Sequence, residues 1–218
     1  MALDYELGST QYLTLPALTL TARCTYTVWA TLESIAGDPP FHQCTTGGTG
    51  ALFFRVNNTG TVTFQMRQSN GTLKNVNTIG TITPGTEYFL VFMADGSDLK
   101  VYFNTVADGN TTAYDDTVIG TANTFTMCRS AAEFMDGVLF DFRIYDRALS
   151  QAEIDILYAS RGNDNIVNDI RLRYKMDEGT AGSTAAGAGS VIDISKNSYH
   201  ATASNSPVYK EASFKTGK

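Results

Sequence analysis

The sequence predicts an all-β fold: a two-sheet antiparallel sandwich carrying one short α-helix. Three observations predict it. The 218 residues are rich in Thr, Gly, Asn, Phe and Tyr and only 17% charged, a balance that suits strands and turns. Apolar and polar residues alternate in short runs, separated by turn signals roughly every 8–12 residues. One stretch alone carries a full helix signature. A chain of this length fits one large all-β domain or at most two small ones.

The elements follow in order. Residues 9–20 alternate around Tyr12, Leu13 and Leu15, with Pro16 marking an edge or a break. In residues 24–33, Tyr26, Val28 and Ala30 share one face and Trp29 takes the other. Asp38-Pro39-Pro40 and residues 45–50 are loop signals around a short strand at Phe41–Cys44. Three hairpins come next. Leu52–Val56 and Val62–Arg67 flank Asn57–Gly60; Val62–Arg67 and Leu73–Thr78 flank Asn70-Gly71; Tyr88–Ala94 and Leu99–Asn104 flank Asp95–Asp98. Residues 105–126 hold at most one short strand, near Val118–Ile119.

Residues 137–162 are the most legible stretch. Val138, Phe140, Phe142 and Ile144 fall on one strand face, with Asp141, Arg143 and Tyr145 on the other. Ser150 is then a strong N-cap with Glu153 three residues on, and Leu149 and Ile154 form a hydrophobic staple. Ile154, Leu157 and Tyr158 share a helix face, and Gly162 can take the left-handed position after the helix. Beyond a polar link lies a strand at Ile170–Met176, with Ile170, Leu172, Tyr174 and Met176 inward and Arg171, Arg173 and Lys175 outward. Thr180–Ser190 reads as an ordered loop of small residues, and Pro207–Tyr209 as a last short strand. Residues 1–162 thus make the sandwich core, with a terminal helix at about 151–160. Residues 163–218 make a strand-and-loop segment that completes the same sandwich, or a neighbour's.

Several of these segments resemble a known family. Phe142-Arg-Ile-Tyr-Asp-Arg-Ala-Leu-Ser-x-x-Glu-Ile154 is similar to the closing strand and helix of the laminin-G-like, concanavalin-A-like jelly rolls. Residues 90–104 resemble that family's central hairpin, with Asn104-Thr105 where an Asn-Gly is usual. Tyr12–Pro16 and Tyr26–Trp29 resemble its early strands. Tyr174-x-Met-Asp-Glu-Gly179 with Asp193–His200 resembles its opening. That opening segment here comes last, so the order looks circularly permuted, which is tolerated where termini lie close together. The resemblance implies that Ile170–Met176 pairs beside Leu139–Tyr145, and that Leu139–Tyr145 supplies a sheet edge.

Composition excludes some functions. The net charge is −6, of which residues 163–218 carry +1 (seven Lys and Arg, six Asp and Glu) and the rest −7. With no basic stripe, a nucleic-acid partner is not expected, nor is a membrane, since no apolar run approaches the ~20 residues of a span. The N-terminus lacks the basic and apolar regions of a signal peptide. Cys24, Cys44 and Cys128 are odd in number and lack metal-ligand spacing, so they are expected as buried or idle thiols. The sequons at Asn57, Asn70 and Asn110 are expected as turn residues.

Candidate chemistry is sparse. Glu153 and Asp155 look like part of the Glu-x-Asp-x-x-Glu run of glycosidases of this fold, but Tyr158 replaces the third carboxylate. A helix also turns residues two apart away from each other. His42 and His200 suggest no triad. Asp108, Asp115, Asp116, Asp177 and Asp193 are the calcium candidates, with turn roles favoured. Trp29 and Tyr145 are the candidate sugar-stacking aromatics, although burial in one of the sheets is at least as much expected for Trp29 in mid-strand. No residue is assigned to catalysis, metal or ligand binding, no cofactor is implied, and an enzyme is not expected. By analogy with phage surface proteins of similar fold, the first expectation is a structural virion protein: a bacteriophage capsid decoration protein, made in the host cytoplasm. It would be a homo-oligomer, with a trimer favoured, seated on the viral major capsid protein. The alternative is a carbohydrate-binding, lectin-like module with glycan partners, and a weaker one is a glycoside hydrolase.

Overall fold

The structure is a computed structural model describing residues 1–46, 49–68, 70–114, 120–121, 124–130 and 133–211. Its strands in chain order are β1 (Ala2–Tyr5), β2 (Tyr12–Leu15), β3 (Thr19–Leu20), β4 (Cys24–Ser34), β5 (Pro40–Thr46), β6 (Thr49–Val56) and β7 (Thr61–Arg67). Next come β8 (Leu73–Thr81), β9 (Glu87–Ala94), β10 (Asp98–Phe103), β11 (Val106–Ala107), β12 (Thr112–Ala113), β13 (Gly120–Thr121) and β14 (Thr124–Met127). The rest are β15 (Arg129–Ser130), β16 (Glu133–Phe134), β17 (Asp136–Tyr145), helix α1 (Gln151–Ser160), β18 (Ile170–Tyr174), β19 (Gly187–Val191), β20 (Ala201–Ser204) and β21 (Val208–Lys210).

Two antiparallel sheets hold most of them. The first runs β11-β10-β9-β4-β17-β1-β21, with β12 on β10 and β18 on β17; the second runs β19-β20-β2-β14-β5-β6-β7-β8. The expected all-β sandwich with a single short helix is therefore what forms. Leu13, Val28, Phe54, Phe64, Phe92, Phe142 and Tyr174 pack between the sheets. Burial on this scale, at roughly 25 cal/mol per Å² of apolar surface, is the main stabilising term. The other face of the first sheet is covered by α1: Trp29, Phe89, Phe140 and Tyr145 pack against Ile154 and Leu157. The capping box forms as read, with Ser150 and Glu153 satisfying each other's backbone N–H groups. Tyr158 stacks on Trp29 with ring centroids 5.4 Å apart, and the Arg161 guanidinium lies 4.1 Å from the Trp29 ring centre.

The alternation expected along β17 breaks at Asp141. Its backbone is left-handed (φ 49°), and the pairing with β4 slips between Phe140 and Arg143. This bulge reverses the phase: Val138 and Phe140 face the helix, Phe142 and Ile144 the interior. A second slip lies at Gly137 (φ 146°), where a Cβ would sit 2.3 Å from the Thr31 carbonyl oxygen. A third, between Ile144 and Tyr145, turns Ile170 toward the helix side rather than inward.

β17 is not an edge. It pairs with β4 on one side and, on the other, with β1 over Gly137–Leu139 and with β18 over Phe142–Tyr145. The pairing of the C-terminal strand with β17 is thus present within one chain. β1 is a fully buried strand that the sequence reading passed over. Residues 105–126 contain β11, β12, β13 and part of β14 rather than one strand; Val118–Ile119 lies outside the described residues. The last four residues of the expected Thr180–Ser190 loop belong to β19, edge to β20.

Asp141 also ties these parts together. Its carboxylate accepts from Arg143 Nε at 3.0 Å and Arg173 Nε at 2.9 Å, while Arg143 reaches Asp164 and Arg173 donates to the Gly162 carbonyl at 2.6 Å. All four charged side chains are at least 92% buried, so removing one leaves its partners uncompensated. Asp141→Ala is expected to lower the unfolding free energy by about 3–5 kcal/mol, read from urea denaturation.

Candidate functional site

With α1 on the first sheet, the outer face of the second sheet is the open one. Its side chains follow from alternation: Leu13, Leu15, Leu52, Phe54, Phe64, Met66, Phe125 and Met127 point inward and are at most 3% exposed. The residues between them point out. Register then aligns one outward residue per strand: Thr202 opposite Thr14, Thr14 opposite Thr126, Thr126 opposite Gln43, Gln43 opposite Phe53, Phe53 opposite Gln65, and Gln65 opposite Asn75. At about 4.8 Å per strand, this row crosses seven strands over about 29 Å.

The row is chemically uniform. Three hydroxyls, three carboxamides and one aromatic ring line it, with no carboxylate. Arg55 stands beside Phe53, its guanidinium 5.3 Å from the ring centre. The side chains of Thr14, Thr202, Gln65 and Asn75 make no hydrogen bond among the described residues. Gln43 Oε1 is buried without a partner. A buried acceptor left unsatisfied costs about 1–3 kcal/mol, so such an atom calls for an explanation. Nearby, Tyr12 carries the Arg129 guanidinium 4.6 Å from its ring centre, with the Phe134 ring centre 6.4 Å away. These groups give a half-buried strip of donors, acceptors and ring faces, with Asn75 exposed at one end.

The sequence candidates lie elsewhere. Trp29 and Tyr145 are 1% and 0% exposed beneath α1, so neither can meet a sugar. Glu153 is held by Ser150 and by a bidentate Arg147, whose hydrogen bond keeps its carboxyl down at about 2. Asp155 instead accepts from Gln151 at 2.8 Å on the exposed side of the helix. Asp108 accepts the backbone N–H groups of Ile79, Gly80 and Asn110; Asp193 accepts those of Arg173, Ser195 and Tyr199. Asp177 pairs with Lys175 at 3.2 Å, and Asp115 and Asp116 lie outside the described residues. Asn57 bonds Thr61 and Thr63, and Asn70 closes its own turn through Thr72, as turn residues do. Cys24 and Cys128 are buried free thiols; the side chain of Cys44 lies outside the described residues.

Two clusters escaped the sequence reading. Glu6, Glu33 and Asp136 place carboxylate oxygens within 4.8 Å of one another. The Lys210 ammonium stands among them, 3.5 Å from Glu33, 4.0 Å from Glu6 and 2.6 Å from Asp4. The other cluster surrounds His42, which is fully buried among Tyr26, Phe54, Phe125 and Phe142. Among the described residues no helix is long and apolar enough to cross a membrane.

An antiparallel sandwich with a helix over one sheet and an open polar strip on the other defines a class of jelly-roll domains. The chain belongs to the Concanavalin A-like lectin/glucanases superfamily, whose family profile matches residues 7–155. No curated protein matches it. A Bacteroides ovatus protein assigned to carbohydrate binding superposes with a TM-score of 0.72 at 12% identity, over 97% of this chain and 60% of that one. A heptameric SAP-like pentraxin from Limulus polyphemus gives 0.58 at 16% identity, over 74% of this chain and 83% of that one. Domain 4 of AbnA, an extracellular arabinanase from Geobacillus stearothermophilus solved with arabinotriose, gives 0.52 at 17%, over 65% and 68%. At such identities the likeness is one of fold.

Burial drives the imidazole of His42 down to about 3, while Nδ1 contacts the Thr126 carbonyl at 3.0 Å. The folded group thus stays neutral where the unfolded one, near 6.5, takes up a proton. Protons bind the unfolded state preferentially between those values, so stability falls as pH drops below about 6.5. From pH 6.5 to 5 the loss from this residue is expected to be about 1–2 kcal/mol. In His42→Leu the urea midpoint should lose that slope.

Proposed function

We propose that this protein is a non-catalytic carbohydrate-binding domain that lays a neutral glycan chain across the outer face of its second sheet. The observation that carries this reading is the row from Thr202 to Asn75, with Phe53 near its middle. Sugar hydroxyls both donate and accept, which suits the Gln65 and Asn75 carboxamides and the Thr14 and Thr202 hydroxyls, which make no hydrogen bond among the described residues. A pyranose also has an apolar face of C–H groups, and the partly exposed Phe53 ring offers a surface for it. The absence of carboxylates from the row fits a ligand that is neither cationic nor a hydrolysis substrate needing paired acids.

The relatives in fold support the same reading, since one is assigned to carbohydrate binding and another was solved with arabinotriose. The expected place on a virion surface, with a capsid partner and a trimeric state, draws no comparable support, and the glycan-binding alternative replaces it as the better reading.

Phe53→Ala and Gln65→Ala are expected each to weaken retention on neutral polysaccharides by about five- to thirtyfold, matching the loss of roughly 1–2 kcal/mol of contact, with thermal midpoints near the parent's. Affinity electrophoresis through gels loaded with arabinan, xylan and β-glucan measures this. Equal retention of parent and both variants on every polysaccharide that binds would refute the strip as the site.

A further inference from the structure

We propose a second binding site, for a single hexuronic acid, in a cavity built wholly by the C-terminal segment. The cavity is about 250 Å³, and its lining residues run from Val167 to Asn197, outside the stretch matched by the family profile. A volume below the usual range for drug-sized ligands suits one sugar ring.

Its walls differ from the seven-residue row of the second sheet, whose side chains are all neutral, in having charge. Val167 and Ile194 are 56% and 46% exposed, and with Ile170 they give the cavity an apolar side against water. Arg173 lines the same space. Its Nε is held by Asp141 and its Nη2 by the Gly162 carbonyl, so the guanidinium is fixed, and Nη1 donates to nothing among the described residues. Lys196 also lines the cavity, from a left-handed backbone position (φ 80°), and makes no ion pair among the described residues.

Charge accounting selects the ligand. Asp141 and Asp164 match the buried Arg143 and Arg173 one for one; of the two charges left in the lining, Asp169 lies toward Arg147, and Lys196 makes no ion pair among the described residues. A carboxylate fits between an ammonium and a fixed N–H donor, where charge-assisted hydrogen bonds are strongest. Asp169, also in the lining, is drawn toward Arg147 at 3.8 Å and can accept a sugar hydroxyl. Its negative charge, with Asp141 beneath, disfavours a dianion such as phosphate. A uronic acid satisfies all three walls: carboxylate toward Lys196 and Arg173, hydroxyls toward Asp169, ring face toward Val167, Ile170 and Ile194.

The test is a methyl-detected NMR titration of the whole chain with free glucuronic and galacturonic acids, using glucose and inorganic phosphate as comparisons. A uronic acid should saturably shift the Val167, Ile170 and Ile194 methyl signals. Lys196→Ala should weaken binding about fivefold, as the loss of one exposed charge contact implies, and Val167→Asp should abolish it. Phe53→Ala should leave it unchanged, so this site and the neutral-glycan strip fail or survive separately. The proposal is overturned if neither acid shifts those methyls, if glucose or phosphate shifts them equally, or if Lys196→Ala binds as the parent does.

Discussion

The Asp141 carboxylate is the interaction on which the rest of the architecture depends. It sits where the chain departs from regular β geometry, and the ion pairs it makes hold that departure in place. A left-handed non-glycine residue inside a strand is costly and persists only when its surroundings fix it. Here Arg143 from the same strand and Arg173 from β18 both close on it. Arg143 extends the network to Asp164, and Arg173 to the Gly162 carbonyl, so the end of α1, the link after it and the displaced strand are positioned by one buried group of charges. Buried ion pairs are poor sources of net stability, but they are strict about geometry. In this molecule they set the register at which the C-terminal segment joins the sheet.

That register decides which surfaces remain open. The bulge turns Phe140 toward α1 and Phe142 toward the interior, so one strand serves two apolar layers. Trp29, stacked by Phe140 and Tyr158, is the floor on which the helix rests. Once this face is closed, the second sheet is left to present unpaired polar groups to solvent. Docking the helix and exposing the strip are two results of the same packing choice.

Much of this was legible in the sequence. The capping box at Ser150 and Glu153, the faces of β4 around Trp29, and the three hairpins all follow from local pattern. So does the pairing of the Ile170 strand with β17, given the family resemblance. The misses have physical causes. Nothing in the identity of Asp141 announces a left-handed bulge, and a single extra residue inverts every assignment before it. Ala2–Tyr5 is too short to show alternation and is buried on both sides. Phe53 was readable as outward-facing between Leu52 and Phe54. Its place in a seven-strand row depended on cross-strand register, which no local pattern states. For Trp29 the mid-strand position left both display and burial open, and its size and apolarity decide for burial.

The pairing of β1 with β21 has a mechanical consequence. Ala2 lies opposite Lys210, with the two strands running antiparallel. Tension applied through these two residues would open the rungs singly, like a zipper, instead of loading them together in shear. β21 would carry with it residues 182–185, which bridge its far side, while β1 stays gripped by β17. A domain strung by both ends between two bodies would therefore open rung by rung, whereas one tethered by a single end would keep its sheet intact.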